Sequence, residues 1–192
     1  FFPVVLTTWE QWFQEHPDTT VLAIETGLYP LGTYFPESDE RSFYSDYFSS
    51  DETMFPVPFR DDSLEIKDVV LGLGIDDSYM AYPVDVLQRE LVINDVVGGV
   101  DVVIVGSPVS QAARVYLSEG RRFSAPADAD RSTGVLPMIE DQDGGLWRVW
   151  EARLANKAEP AALELARIPA HMAFWFGWFQ FHRDTELYAG EE

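Results

Sequence analysis

Few side chains in this sequence could do chemistry. There are three histidines, a scatter of hydroxyls, 33 acidic residues and no cysteine. Asn94-Asp95 lies between two apolar runs and pairs a carboxylate with an amide that could orient it, while Tyr82-Pro83 could line a pocket beside it. The same Asn-Asp pair is also ordinary turn chemistry, in which both side chains bond their own backbone. Ser107 and Ser110 have hydroxyls three residues apart, but neither a nucleophile-elbow context nor an assigned base. His16 and His182 each stand one turn beyond a Trp-x-x-Trp-Phe sequence. Imidazole titrates near neutrality and could serve as ligand or base, yet a histidine there also suits a helix end, where it meets the last carbonyls. A metal site from His171 and His182 is weakly signalled, since eleven residues along a helix separate them by about three turns. Asp61-Asp62, Asp76-Asp77, Asp128, Asp130, Asp141 and Asp143 do not follow a calcium-loop spacing and read as a solvated surface. The sequence therefore assigns no catalytic residue, no metal and no cofactor. Its binding candidates are Tyr82, Asn94, Asp95, Ser107, Ser110 and His182.

The elements that must position these residues follow from a recurrence. Pro3, Trp9, Trp12, Phe13, Gln14, His16, Asp18 and Thr19 return at an offset of 166 as Pro169, Trp175, Trp178, Phe179, Gln180, His182, Asp184 and Thr185. A period this long does not mark a solenoid; it implies a duplicated domain. Residues 1–26 then read as the tail of a preceding repeat, a helix plus a strand. Thr8 and Gln11 form a capping box, the helix stops at His16-Pro17, and Val21–Ile24 makes the strand. Residues 27–62, rich in Gly, Pro, Ser, Asp and aromatics, read as an extended connector lying on other surfaces through its Tyr and Phe residues.

Residues 63–192 read as a β-rich domain. Leu64–Leu73, Tyr79–Tyr82, Leu91–Ile93, Val100–Val105, Ala113–Leu117, Leu146–Ala155 and Leu163–Ile168 are expected strands. Asp76-Asp77, Gly98-Gly99, Glu119-Gly120 and Asp143-Gly144-Gly145 are the turns. Pro83–Leu87 opens a short helix, and Met172–His182 has helical spacing. On a single strand Trp147 and Trp150 would face opposite sides. The expected fold is α+β, mainly β: a compact, mostly antiparallel domain, barrel- or sandwich-like, closed by a C-terminal aromatic helix.

A formal net charge of −20 repels phosphate backbones, which argues against nucleic acid as a partner. Without cysteine neither a disulfide framework nor a thiolate metal site is available. No apolar run reaches the ~20 residues that span a bilayer. High acidity with only two lysines, Lys67 and Lys157, fits a salt-adapted or extracytoplasmic protein, periplasmic or at the cell surface. The chain opens on Phe1 without an initiator methionine, so it is expected to be a processed or excised piece.

Several pieces, in order, resemble a family: Val69-x-x-Gly72, Ala81-Tyr82-Pro83, Ile93-Asn94-Asp95-x-x-Gly98, Val102-Val103-Ile104-Val105, and the closing Phe174-Trp175-x-x-Trp178 with His182 and Asp184. The sequence is similar to the bacterial and archaeal domain-of-unknown-function family 3179, over about 60–188, with residues 1–22 resembling the end of a preceding copy. The resemblance implies an often exported, often duplicated domain. Many members have Cys-Pro-Leu-Cys where this chain has Ser107-Pro108-Val109-Ser110, so thiol redox or soft-metal chemistry implied for those relatives does not carry over.

The two recurring helices differ on one side. Thr8, Glu10, Gln11 and Glu15 become Phe174, Phe176, Gly177 and Phe181. A helix apolar all round is covered on both sides, so Phe174, Phe176 and Phe181 are expected to contact another subunit, the connector or a membrane surface, with Gly177 permitting close approach. The function expected is non-catalytic binding, as an accessory subunit or module of a larger assembly whose partner is a protein subunit or a membrane complex. The alternative is a small-ligand or enzymatic site around Tyr82, Asn94, Asp95 and the 107–110 loop.

Overall fold

The computed structural model describes residues 4, 6–23, 25, 27–28, 35, 39–42, 44–132, 134–160 and 162–190. Pro3 of the recurrence and Ile24 of the expected strand lie outside them. Along the chain run α1 (Trp9–Glu15), α2 (Ser45–Phe48), β1 (Val69–Ile75), β2 (Ser78–Pro83), α3 (Val84–Glu90), β3 (Val92–Val97), β4 (Val100–Gly106) and β5 (Ala113–Leu117). There follow β6 (Phe123–Ser124), β7 (Met138–Asp141), β8 (Leu146–Val149), β9 (Arg153–Asn156), β10 (Glu164–Ile168), β11 (Ala170–Phe174), α4 (Trp175–Phe181) and β12 (Glu186–Leu187).

The protein is mainly β. An eight-stranded antiparallel sheet, ordered β3-β4-β5-β10-β9-β8-β7-β6, curls until β6 returns beside β3 and is nearly a barrel. A second sheet, ordered β11-β1-β2-β12, packs on its outside. Period-2 alternation divides the side chains between three cores. In β4, Val103 and Val105 point into the barrel while Val102 and Ile104 point at the small sheet. That double burial explains an unbroken apolar run in an antiparallel strand. In β1, Leu71 and Leu73 meet the barrel wall, and Val70 faces the opposite way, toward Trp175 and Trp178 of α4. The layers are therefore barrel, small sheet and aromatic helix.

Turn chemistry fell where the sequence placed it. Asp76, Gly98, Gly99, Glu119, Gly120 and Gly144 all have positive φ. Four expectations are corrected. Leu64–Asp68 is not strand, because Asp68 accepts from Glu65 N and gives its carbonyl to Trp175 N, turning the chain before β1. Leu146–Ala155 is two strands, β8 and β9, with a turn at Trp150–Ala152, so Trp147 and Trp150 do not share a strand. Met172–Phe174 belongs to β11, not to the helix: backbone pairing with Val69–Leu71 overrides the helical spacing, and α4 begins at Trp175. Val21–Ala23 form no strand.

Candidate functional site

The sequence-derived candidates do not converge on one place. Tyr82 in β2 and Asp95 in β3 meet across the interface of the small sheet and the barrel, where the phenol donates to Asp95 Oδ2 at 2.8 Å. Tyr82 is fully buried. Burial first, and the Asp95 carboxylate second, push its hydroxyl far above the ordinary phenol range, which keeps it a proton donor. Asn94, one residue earlier, points to the other face of β3. Its amide donates to Phe123 O at 2.8 Å and accepts from Phe123 N at 2.7 Å. One side chain thus imitates a backbone pair and ties β3 to β6 at the barrel seam.

Ser107 and Ser110 lie elsewhere. Val102 is the residue opposite Asp95, and Ser107 follows it by five positions along β4, about 16 Å of extended strand. Ser107 is buried and its Oγ accepts from Val109 N, Ser110 N and Ser110 Oγ, the last at 2.9 Å. Ser110 Oγ in turn accepts from Ala112 N. The hydroxyls are consumed in holding the loop between β4 and β5. Among the described residues no group of three acidic or histidine side chains is placed to hold a metal ion.

His182 caps α4: its N–H donates to Trp178 O, and its ring stacks on Tyr79 and meets Trp178 at a tilt, each at 4.1 Å between centroids. His171 is in β11, not on the helix, and its ring also meets Trp178, at 5.5 Å. Burial chiefly, and then the nearby His171, lower the His182 pKa from its ordinary value. Such an imidazole is held neutral in the folded state, so the unfolded chain binds more protons. Stability should be full above the unfolded value near 6.5 and fall as pH drops below it. Denaturant unfolding from pH 8 to 5 should show this slope reduced in a His182→Phe variant; an identical profile would remove His182 as its source.

A buried ionic cluster was missed by sequence reasoning. Arg114 of β5 and Arg167 of β10 project into one end of the barrel, with side chains only 2% and 4% exposed. Arg114 Nε meets Glu151 at 2.9 Å, and its Nη2 meets Glu15 of α1 at 3.2 Å. Arg167 pairs with the same Glu151 and donates to its carbonyl at 2.8 Å. Glu15 also accepts from Glu151 N at 2.9 Å, and Tyr116 donates to Trp150 O at 2.7 Å. Two cations face two carboxylates in a site where unpaired charge is costly. A signal was present: Arg114 and Arg167 interrupt apolar strands at positions whose alternation demands burial.

These contacts fix α1 on the barrel through its polar side. Gln11 accepts from Val135 N at 3.1 Å, and Glu15 reaches Arg114. At the same offset of 166, Gln11 and Glu15 correspond to Gly177 and Phe181 of α4. Gly177 has open space where a side chain would stand, and Phe181 is 84% exposed. Phe174 and Phe176 are instead covered by the segment preceding the β-domain: Phe48 lies 5.9 Å from Phe174, and Phe55 lies 6.0 Å from Phe176. Trp175 Nε1 donates to Asp61 O, Gln180 to Phe59 O, and the Arg183 guanidinium lies 4.4 Å from the Phe59 ring. The aromatic contacts expected of residues 27–62 are therefore made by Phe48, Phe55 and Phe59, together with a short helix, α2, that composition did not suggest.

No helix among the described residues is long and apolar enough to cross a membrane. No curated protein and no solved structure matches the chain. Residues 1–185 match the family model described as protein of unknown function (DUF3179), and the chain belongs to that family.

Proposed function

We propose that the chain is a non-catalytic interaction domain, one module of a duplicated protein working outside the cytoplasm, whose partner is another protein subunit or a membrane complex. The observation carrying this reading is the open pair Gly177 and Phe181. They are four apart and so share one helix face. The corresponding face of α1, Gln11 and Glu15, is the one that docks on a barrel. In α4 that face offers a bare backbone and a solvent-exposed phenyl ring, which suits an apolar partner. Phe174 and Phe176 are instead covered within the chain by Phe48 and Phe55, which leaves Phe181 as the open ring of the three. The acidic surface and the scarcity of lysine support the extracytoplasmic setting.

The test is Phe181→Glu in the protein purified gently from its source. The wild type should run in an assembly heavier than one chain, and the variant should leave it with an unchanged thermal midpoint. A wild-type protein that runs as a single chain, with or without the substitution, overturns the reading.

A further inference from the structure

The second strap explains the first. β11, α4 and β12 form one continuous strap around the hairpin β1–β2. β11 pairs antiparallel with β1 on one edge, β12 pairs parallel with β2 on the other, and α4 crosses the face between them. Trp178 lies over Gly72, where any side chain would overlap its six-membered ring, and His182 stacks on Tyr79.

Residues 9–19 repeat the centre of this strap in local detail. The helix caps His16 and His182 have φ and ψ of −132° and 66° against −132° and 68°. Trp12 Nε1 donates to Thr19 Oγ1 at 3.0 Å, and Trp178 Nε1 to Thr185 Oγ1 at 2.9 Å. Trp9 and Phe13 are 5.4 Å apart, as are Trp175 and Phe179. Thr19 N meets His16 O, and Thr185 N meets His182 O, both at 3.1 Å.

What differs is the contents. Trp175 is 3% exposed, whereas Trp9 is 51% exposed and Phe13 44%. On the two arms, Leu6 and Val21 are 53% and 64% exposed, while their counterparts Met172 and Leu187 are paired in the small sheet. The outer side of α1 is meanwhile held by Gln11 and Glu15, so the strap is anchored with its apolar side open.

We infer that residues 6–22 are a docking strap for a β-hairpin. The occupant is the two-stranded antiparallel hairpin of the repeat whose tail these residues form, an inference that rests on the duplicated-protein reading above. Its first strand adds antiparallel to residues 6–8 and its second adds parallel to residues 20–22, in the manner of strand addition to a free edge. A glycine in its first strand sits beneath Trp12, as Gly72 sits beneath Trp178, and an aromatic ring in its second stacks on His16. Another folded copy of this chain does not qualify, because β11 and β12 already occupy both edges of its hairpin β1–β2.

The test attaches the hairpin to the whole chain. A copy of the segment Asp68–Pro83 is joined ahead of Phe1 through a flexible Gly-Ser linker, and amide exchange is followed by mass spectrometry. Tethering at millimolar effective concentration should slow exchange in 6–8 and 20–22 by about tenfold or more, with exchange at 170–188 unchanged. The same fusion with valine in place of the glycine that copies Gly72 should give no protection. Equal exchange with and without the glycine hairpin overturns the inference. So does equal protection by the valine hairpin, which would mean unspecific apolar contact. Protection of the unfused chain that grows with its own concentration, or on adding neutral lipid vesicles, would assign the strap to a second copy or a membrane and overturn it as well.

Discussion

Arg114→Met lowers the unfolding free energy by about 3 kcal/mol and releases α1 from the barrel, because removing one member of a buried ionic cluster leaves its partners without compensation. Glu151 keeps Arg167, but Glu15 retains only the backbone N–H of Glu151. Both carboxylates have some access to water, with side chains 15% and 24% exposed, which holds the cost toward the lower end of the range for buried pairs. Glu15→Gln should cost less, since Arg114 keeps Glu151, and the double variant should reveal coupling between the two positions. The readouts are the urea midpoint at constant slope and amide exchange over Trp9–Glu15. A loss under about 1 kcal/mol with α1 still protected would mean that the carboxylates relax into solvent at little cost.

Gly72→Val should be comparably severe, through shape rather than charge. An added Cβ overlaps the Trp178 ring, and the nearest atoms belong to a rigid indole held by Thr185, with His171, Tyr79 and His182 around it. Overpacking of a filled site costs roughly 1–3 kcal/mol, and a β-branched side chain lies at or beyond the upper end. Pushing α4 off the sheet also exposes Trp175 and Trp178, so tryptophan emission should shift to the red before global unfolding. Gly72→Ala combined with Trp178→Leu should recover part of the loss, because the smaller side chain vacates the overlapped space. If Gly72→Val leaves the thermal midpoint in place, the indole does not rest where the helix packing puts it.

Composition and periodicity were enough for a mainly β fold, its turns and its closing helix, since these are local properties: strand alternation, positive-φ turn residues, a capping box at Thr8. Where two strands meet is not local. The helical spacing from Met172 was real, yet the pairing partner Val69–Leu71 lies about a hundred residues away and claimed Met172–Phe174 for the sheet. Asn94 and Asp95 look like a functional pair in one dimension, and strand geometry sends them to opposite faces, one to a seam and one to a buried phenol. Arg114 was legible in principle, as a charge where alternation predicts an apolar residue. Its partner Glu15 was not, because 99 residues separate them and nothing in α1 distinguishes that glutamate from any other on an acidic chain.

The seam at Asn94 also sets how the barrel comes apart. Its other neighbouring strands are joined by backbone ladders, whereas β3 and β6 are joined at this point by one amide side chain clasping one peptide, backed by the edge-on contact of Phe123 with Trp147. A cylinder with one stitched join and seven woven ones opens along the stitch. The eight-stranded sheet can therefore unroll there without breaking a ladder, turning a closed shell into a curved sheet with two free margins. The lightly held join lies at Asn94, beside Val103 of the strand that leads into the serine loop, and it is made by two hydrogen bonds from one side chain.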